Sequence, residues 1–163
     1  MFCSSFCRKP KDDIDEAETA PAGKMTAAID ADIANHNKLM PSRSDIEWTD
    51  KHKQTLTSPP TYPFFAPFSI FDSQHCQFYL FHAIEQCIVD TVVSSFIFIG
   101  PTSGSIFLRN VSDCTIVCCS AQLRLKNCHR LDMFIFSATS PAIESSTEIR
   151  ISPFQYWYPE LKG

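Results

Sequence analysis

The chain has 163 residues, among them 14 Phe, 4 Gly and 8 Cys, and its formal net charge is -4 with acidic and basic residues intermingled. That length fits one domain plus a tail, and the charge pattern excludes a broad basic field for nucleic acid or anionic lipid. The longest apolar stretches, such as Phe96–Ile99, are too short to cross a bilayer, and no signal peptide is evident at the start, so a cytoplasmic protein with reduced thiols is expected.

Residues 1–63 read as a flexible, mostly disordered arm. Lys9–Ala22 is polar and charged, with Pro10 and Pro21, and lacks the apolar density that offsets chain entropy. A short helix over 25–40 is its one helical candidate, with Ala27, Ala28, Ile29 and Ile33 on one side. Pro59, Pro60, Pro63 and Pro67 then forbid regular helix. Near the start, Cys3 and Cys7 stand beside Arg8, Lys9 and Lys11. Thiols next to basic residues are lipidation candidates, because S-palmitoylation with electrostatic support would bring the N-terminus to a membrane. Ordinary exposed thiols are the equal alternative.

From Phe64 onward the chain repeats itself. Taking a polar corner residue as origin, the repeats align at Asp72, Asp90, Asn110, Asn127 and Ser145, 17–20 residues apart. Two places before the corner stand Ile70, Ile88, Leu108, Leu125 and Ile143; six places after it stand Phe78, Phe96, Ile116, Met133 and Ile151. Apolar residues at every second place on both sides of a polar corner mean two short strands per repeat, each turning one face inward. A period near 18 residues is too short for helix pairs and points to stacked strands. Antiparallel hairpins would need turn dipeptides such as Asn-Gly or Asp-Gly, and neither occurs. The expected fold is therefore all-β: a right-handed parallel β-helix, a solenoid of about five coils over 64–163. Cys76, Cys114 and Cys118 fall on inward positions as small apolar residues. By parity Cys119 and Cys128 point outward, and no four ligands converge, so no metal is expected.

The odd positions face out. One outward column reads Ser69, Cys87, Phe107, Arg124, Ala142 and the next Phe71, Val89, Arg109, Lys126, Glu144. Rungs stack about 4.8 Å apart, which makes Arg124 and Glu144 diagonal neighbours on one flat surface, with Arg109 and Lys126 alongside and Gln122 next to Arg124. Cross-strand charge pairing alone accounts for Lys126. Arg124 stands on a stiff strand with a carboxylate placed to hold it, the way an arginine is prepared for another protein's phosphate site. The aromatic run Phe154–Tyr158, bracketed by Pro153 and Pro159, is expected to fold over an open end or edge of the solenoid.

Several motifs in order then carry a resemblance: Gly100-Pro101, Gly104-Ser105, Phe107-Leu108-Arg109, Gln122-Leu123-Arg124, Ile143-Glu144-Ser145-Ser146 and Phe154–Leu161. Over Phe68–Leu161 the chain resembles the tubulin-binding cofactor C domain (C-CAP/cofactor C-like) family. The resemblance implies a β-helix and a GTPase-activating function. It makes Arg124 an arginine finger entering a partner's nucleotide site, with Gln122 the glutamine of the same motif and Glu144 a partner contact. Arg109, Lys126 and Phe107 join the partner-binding face. It further implies that the chain is an activator without a substrate site of its own, since GTP and its magnesium belong to the partner. That partner is an Arf-like small GTPase in one branch of the family and β-tubulin in another. The cytoskeleton, the plasma membrane or a ciliary base become the expected places of action. Family members continue beyond the aromatic motif, so the domain is expected to be C-terminally short at Gly163. The competing expectation is a non-catalytic β-helix adaptor that docks tubulin or actin with the same face.

Overall fold

The computed structural model describes residues 46–58 and 66–156. Cys3, Cys7 and the expected helix over 25–40 lie outside them. Ten strands form one parallel sheet system: β1 (Glu47–Thr49), β2 (Thr55–Thr57), β3 (Phe68–Gln74), β4 (Gln77–Leu80), β5 (Cys87–Val93), β6 (Phe96–Arg109), β7 (Ser112–Lys126), β8 (His129–Ser137), β9 (Ala142–Glu144) and β10 (Thr147–Pro153). The chain is a β-solenoid of about five turns. Each level places one strand in a first sheet, bends at a corner and places the next strand in a second sheet. β1, β3, β5 and the ends of β6 and β7, with β9, stack as the first sheet. β2, β4, the starts of β6 and β7, β8 and β10 stack as the second.

The core is a set of ladders. Ile70, Val89, Leu108 and Leu125 lie in register on the first sheet, and Phe78, Ile97, Ile116 and Met133 on the second. All eight are essentially inaccessible to solvent. Two of these differ from the columns expected above. In the third level the register puts Val89, not Ile88, beside Leu108, and Ile97, not Phe96, beside Ile116. The corner there is Thr91, not Asp90, and the one-residue slip moves every side chain of that level to the opposite face. Cys87 is consequently buried rather than outward, and Asp90 faces out in place of Val89.

The corners share a backbone device. Positive φ recurs in pairs three residues apart: Asp50/Lys53, Asp72/His75, Thr91/Ser94, Asn110/Asp113, Asn127/Arg130 and Ser145/Glu148. Two left-handed residues bend the strand sharply between sheets, a conformation that Asn and Asp adopt most readily outside glycine. The first of each pair also breaks the inward–outward alternation. The next residue turns inward, so Ser73, Val92, Val111 and Cys128 are buried. Cys128 therefore lies inside the stack, against the expectation from parity. At these bends Ser and Cys do the same job. Ser95 Oγ donates to Val93 O (2.9 Å), Cys114 Sγ to Ser112 O (3.1 Å) and Ser146 Oγ to Glu144 O (2.8 Å). From the level below, Cys76 N–H donates to Ser95 Oγ (3.0 Å) and Cys128 N–H to Ser146 Oγ (3.0 Å). These cysteines are small hydrogen-bonding groups of the bend, fitted by size to a closed interior.

The solenoid begins earlier than the expected boundary at 64. β1 pairs with β3 and β2 with β4, so 46–58 is a first level inside the stretch expected to be arm. Its Trp48 stacks on Phe78 at 5.5 Å and meets Phe68 edge-on at 4.7 Å. A large ring on the end level closes the core from one side. At the other end Ile143 and Ile151, on inward columns, remain 45% and 49% exposed because no described residue stacks on them. The described part of the aromatic segment covers a flank instead of that end. Tyr156 meets Phe98 (6.1 Å) and Phe134 (5.9 Å), and Phe154 packs with them over outward-facing Phe98 and Val117, which are buried.

Candidate functional site: an arginine over an aromatic ring

The end of β7 alternates strictly: Gln122, Arg124 and Lys126 are exposed while Leu123 and Leu125 are buried. The two leucines fill the inward ladders, and their burial fixes which side chains stand out. The register then builds a small grid on the first sheet. Ser105, Phe107 and Arg109 on β6 lie beside Gln122, Arg124 and Lys126, and Ala142 and Glu144 on β9 lie beside Arg124 and Lys126 from the other side. Phe107, Arg109, Arg124, Lys126, Ala142 and Glu144 line one shallow groove of about 280 Å³. Ser105 Oγ donates to Gln122 Oε1 at 3.2 Å, which steadies the amide two residues back along β7 from Arg124.

Four arginines fall among the described residues, and three of them are paired. Arg109 Nη2 lies 2.9 Å from Asp90 Oδ2. Arg130 grips Asp113 through Nε (2.5 Å) and Nη2 (2.8 Å), and Arg150 grips Asp132 in the same two-pronged way. Each carboxylate comes from the preceding level, and the arginine beside Asp113 or Asp132 holds that carboxyl below the usual carboxylate range. Bidentate pairs of this kind engage two of the guanidinium's five N–H donors and offset its charge within the protein. They were not anticipated from the sequence. The signal that could have found them is the spacing, since each Asp and its Arg are 17 to 19 residues apart, one coil.

Arg124 differs. No carboxylate among the described residues pairs with it, and its Cζ sits over the Phe107 ring, 5.3 Å from the centroid. Glu144, expected to hold it, lines the same groove but is offset, standing in register with Lys126. The groove thus presents two cations, Arg124 and Lys126, with Glu144 at its edge and Arg109 neutralised by Asp90. No group of three or more His, Cys, Asp or Glu among the described residues could hold a metal ion.

The structure also decides the thiols. Burial pushes Cys114 and Cys118 up to about 12 and raises Cys87 further, so none of these is a ready nucleophile. Half-buried Cys119 is shifted in the same direction by the same cause.

Comparison with known proteins gives a consistent picture. The family described as "Tubulin binding cofactor C" matches residues 66–163. The chain is 27% identical over 117 residues to "Tubulin-folding cofactor C" of Arabidopsis thaliana, covering 72% of this chain and 34% of that protein. It is 48% identical over 48 residues to "Protein XRP2" of Mus musculus, covering 29% of this chain and 13% of the relative. It is 31% identical over 62 residues to "Tubulin-specific chaperone C" of Homo sapiens, covering 38% and 18%. The chain therefore spans about a third or less of the length of the curated relatives it matches.

Proposed function

This chain belongs to the tubulin binding cofactor C family, and from that membership and the groove around Arg124 we propose that it activates a partner GTPase by lending it an arginine in trans. The observation that carries the reading is the contrast among the described arginines. Arg109, Arg130 and Arg150 are spent on aspartates of the preceding level, whereas Arg124 is exposed and meets a carboxylate nowhere among the described residues. In phosphoryl transfer, negative charge spreads over the γ-phosphoryl oxygens, and a guanidinium supplied from outside stabilises it. Such a group must be stiffly mounted, since reorganisation during the reaction would forfeit the gain. Here it rides on a strand whose neighbouring leucines are locked in the core. Gln122 is the second catalytic-site group, oriented by Ser105. Lys126, Glu144, Arg109 and Phe107 form the surrounding partner contacts. The nucleotide and its magnesium are the partner's.

The partner is tubulin, which the names of two of the relatives carry, or an Arf-like small GTPase, the other partner class that the family resemblance implies. The test is single-turnover GTP hydrolysis by each, with the wild-type chain and with Arg124→Ala. Stimulation lost by on the order of 10³-fold, with complex formation retained, is the expected result. Stimulation unchanged by the substitution removes the finger. Binding without any stimulation by the wild type would instead favour an adaptor that docks a cytoskeletal protein.

A further inference from the structure

We propose that Phe107 is a positioning residue for Arg124: its ring holds the guanidinium in place while leaving available the N–H donors that no described residue takes up. The inference rests on the finger reading above and adds to it the reason Arg124 remains available. The solenoid has a strong habit of pairing an arginine with an acid one level back, as Asp90–Arg109, Asp113–Arg130 and Asp132–Arg150 show. The place from which such an acid would reach Arg124 is the residue in register with it on the preceding level, and that residue is Phe107. A carboxylate there would take two donors and cancel the charge. An aromatic face attracts the cation through its quadrupole and leaves the donors, which lie in the guanidinium plane, free to meet phosphoryl oxygens. On the following level the register partner is Ala142, whose methyl group offers no second partner and leaves that side open to an incoming molecule.

A ring that merely touched the partner would have a different signature. Loss of a contact weakens complex formation and leaves the rate at saturation intact, whereas loss of positioning lowers the rate at saturation. Three variants separate these. Phe107→Leu keeps an apolar side chain and removes the quadrupole; Phe107→Tyr restores the ring; Phe107→Asp installs the acid that the other levels carry. All are assayed by single-turnover hydrolysis with a GTP-loaded Arf-like small GTPase and with tubulin, each at saturating chain, beside Arg124→Ala. The free variants are also compared by the side-chain Nε–Hε resonance of Arg124, which the ring current of Phe107 displaces.

Phe107→Leu is expected to lower the saturated rate about two- to fivefold and to return the Arg124 resonance to an ordinary exposed position. Phe107→Tyr restores both, and Phe107→Asp lowers the rate on the order of a hundredfold, because an acid is now carried towards the phosphates. If the three variants reach the wild-type rate at saturation, or if the resonance does not move in Phe107→Leu, the positioning role is overturned while the finger stands. If Arg124→Ala is as active as wild type, or the wild type stimulates neither GTPase, the finger reading fails and the catalytic part of this one goes with it. The resonance still reports whether the ring holds the arginine, and a retained cooperative unfolding transition separates all these outcomes from misfolding.

Discussion

Gly104 precedes the serine that orients Gln122, and replacing it by alanine tests how rigidly β6 is packed against the segment around Glu85. An added Cβ would lie 2.7 Å from the backbone oxygen of Glu85. That oxygen accepts the Gly104 N–H at 2.9 Å, and the segment around it is pinned again by Ser103 N–H on Ile84 O and Ile84 N–H on Pro101 O, both at 3.0 Å. To restore ordinary contact the carbonyl must retreat by roughly half an ångström, and it cannot do so without spoiling a hydrogen bond worth about 1–1.5 kcal/mol, with a further cost for its underserved acceptor. Alanine's reduced unfolded-state entropy returns about 0.4–1 kcal/mol. The balance is a destabilisation of about 1–2 kcal/mol, read as a lowered urea midpoint with unchanged slope, or as a fall in melting temperature of about 5 °C. Because Ser105 follows directly, weaker orientation of Gln122 and lower stimulation should accompany it. A Gly104→Ala chain as stable as the parent, or more so, would show that the backbone here yields freely and that the close approach is not what glycine serves.

Three further outcomes are expected. Thr91 carries a β-branched side chain at φ 57°, where the other levels use mainly Asp or Asn, so Thr91→Asn should stabilise the fold by about 0.5–1 kcal/mol, read as a higher urea midpoint, and a lowered midpoint would contradict the strain. Burial lowers His82 to about 4, below its ordinary 6.5. The unfolded chain therefore binds a proton first, and stability falls as pH drops from 7 towards 4; equilibrium unfolding across that range should flatten in His82→Gln, and an equal slope in both chains would refute the assignment. Alkylation of the folded chain at pH 8, read by peptide mass, should reach Cys119 well before Cys87, Cys114 and Cys118, whose burial holds the thiolate back. Fast labelling of Cys114 would show that the corner opens.

Much of the architecture was legible in the order of residues, because stacked parallel coils put chemically alike groups on top of one another. The apolar columns through Leu108 and Ile116, and the outward set of Gln122, Arg124 and Lys126, follow from spacing alone. The end level did not show itself: Trp48 and Leu56 are too few to make a period, yet they suffice where only one side needs covering. The phase of the third level was also hidden. Polarity favoured Asp90 as the corner, but hydrogen-bond register across neighbouring coils outweighs one residue's preference for the left-handed region, and it placed Thr91 there.

The site divides in the same way. Sequence by itself determined that Arg124 faces outward on a rigid strand near Glu144, since alternation and repeat length are local properties of the chain. Only the stacked structure decided what that arginine touches. Neighbours in register come from coils 17–19 residues apart, and whether an acid or a ring sits beneath a guanidinium depends on bulges and bends accumulated over the intervening turn. Those put Asp90 under Arg109 and Phe107 under Arg124, and so left Arg124 without a carboxylate partner among the described residues.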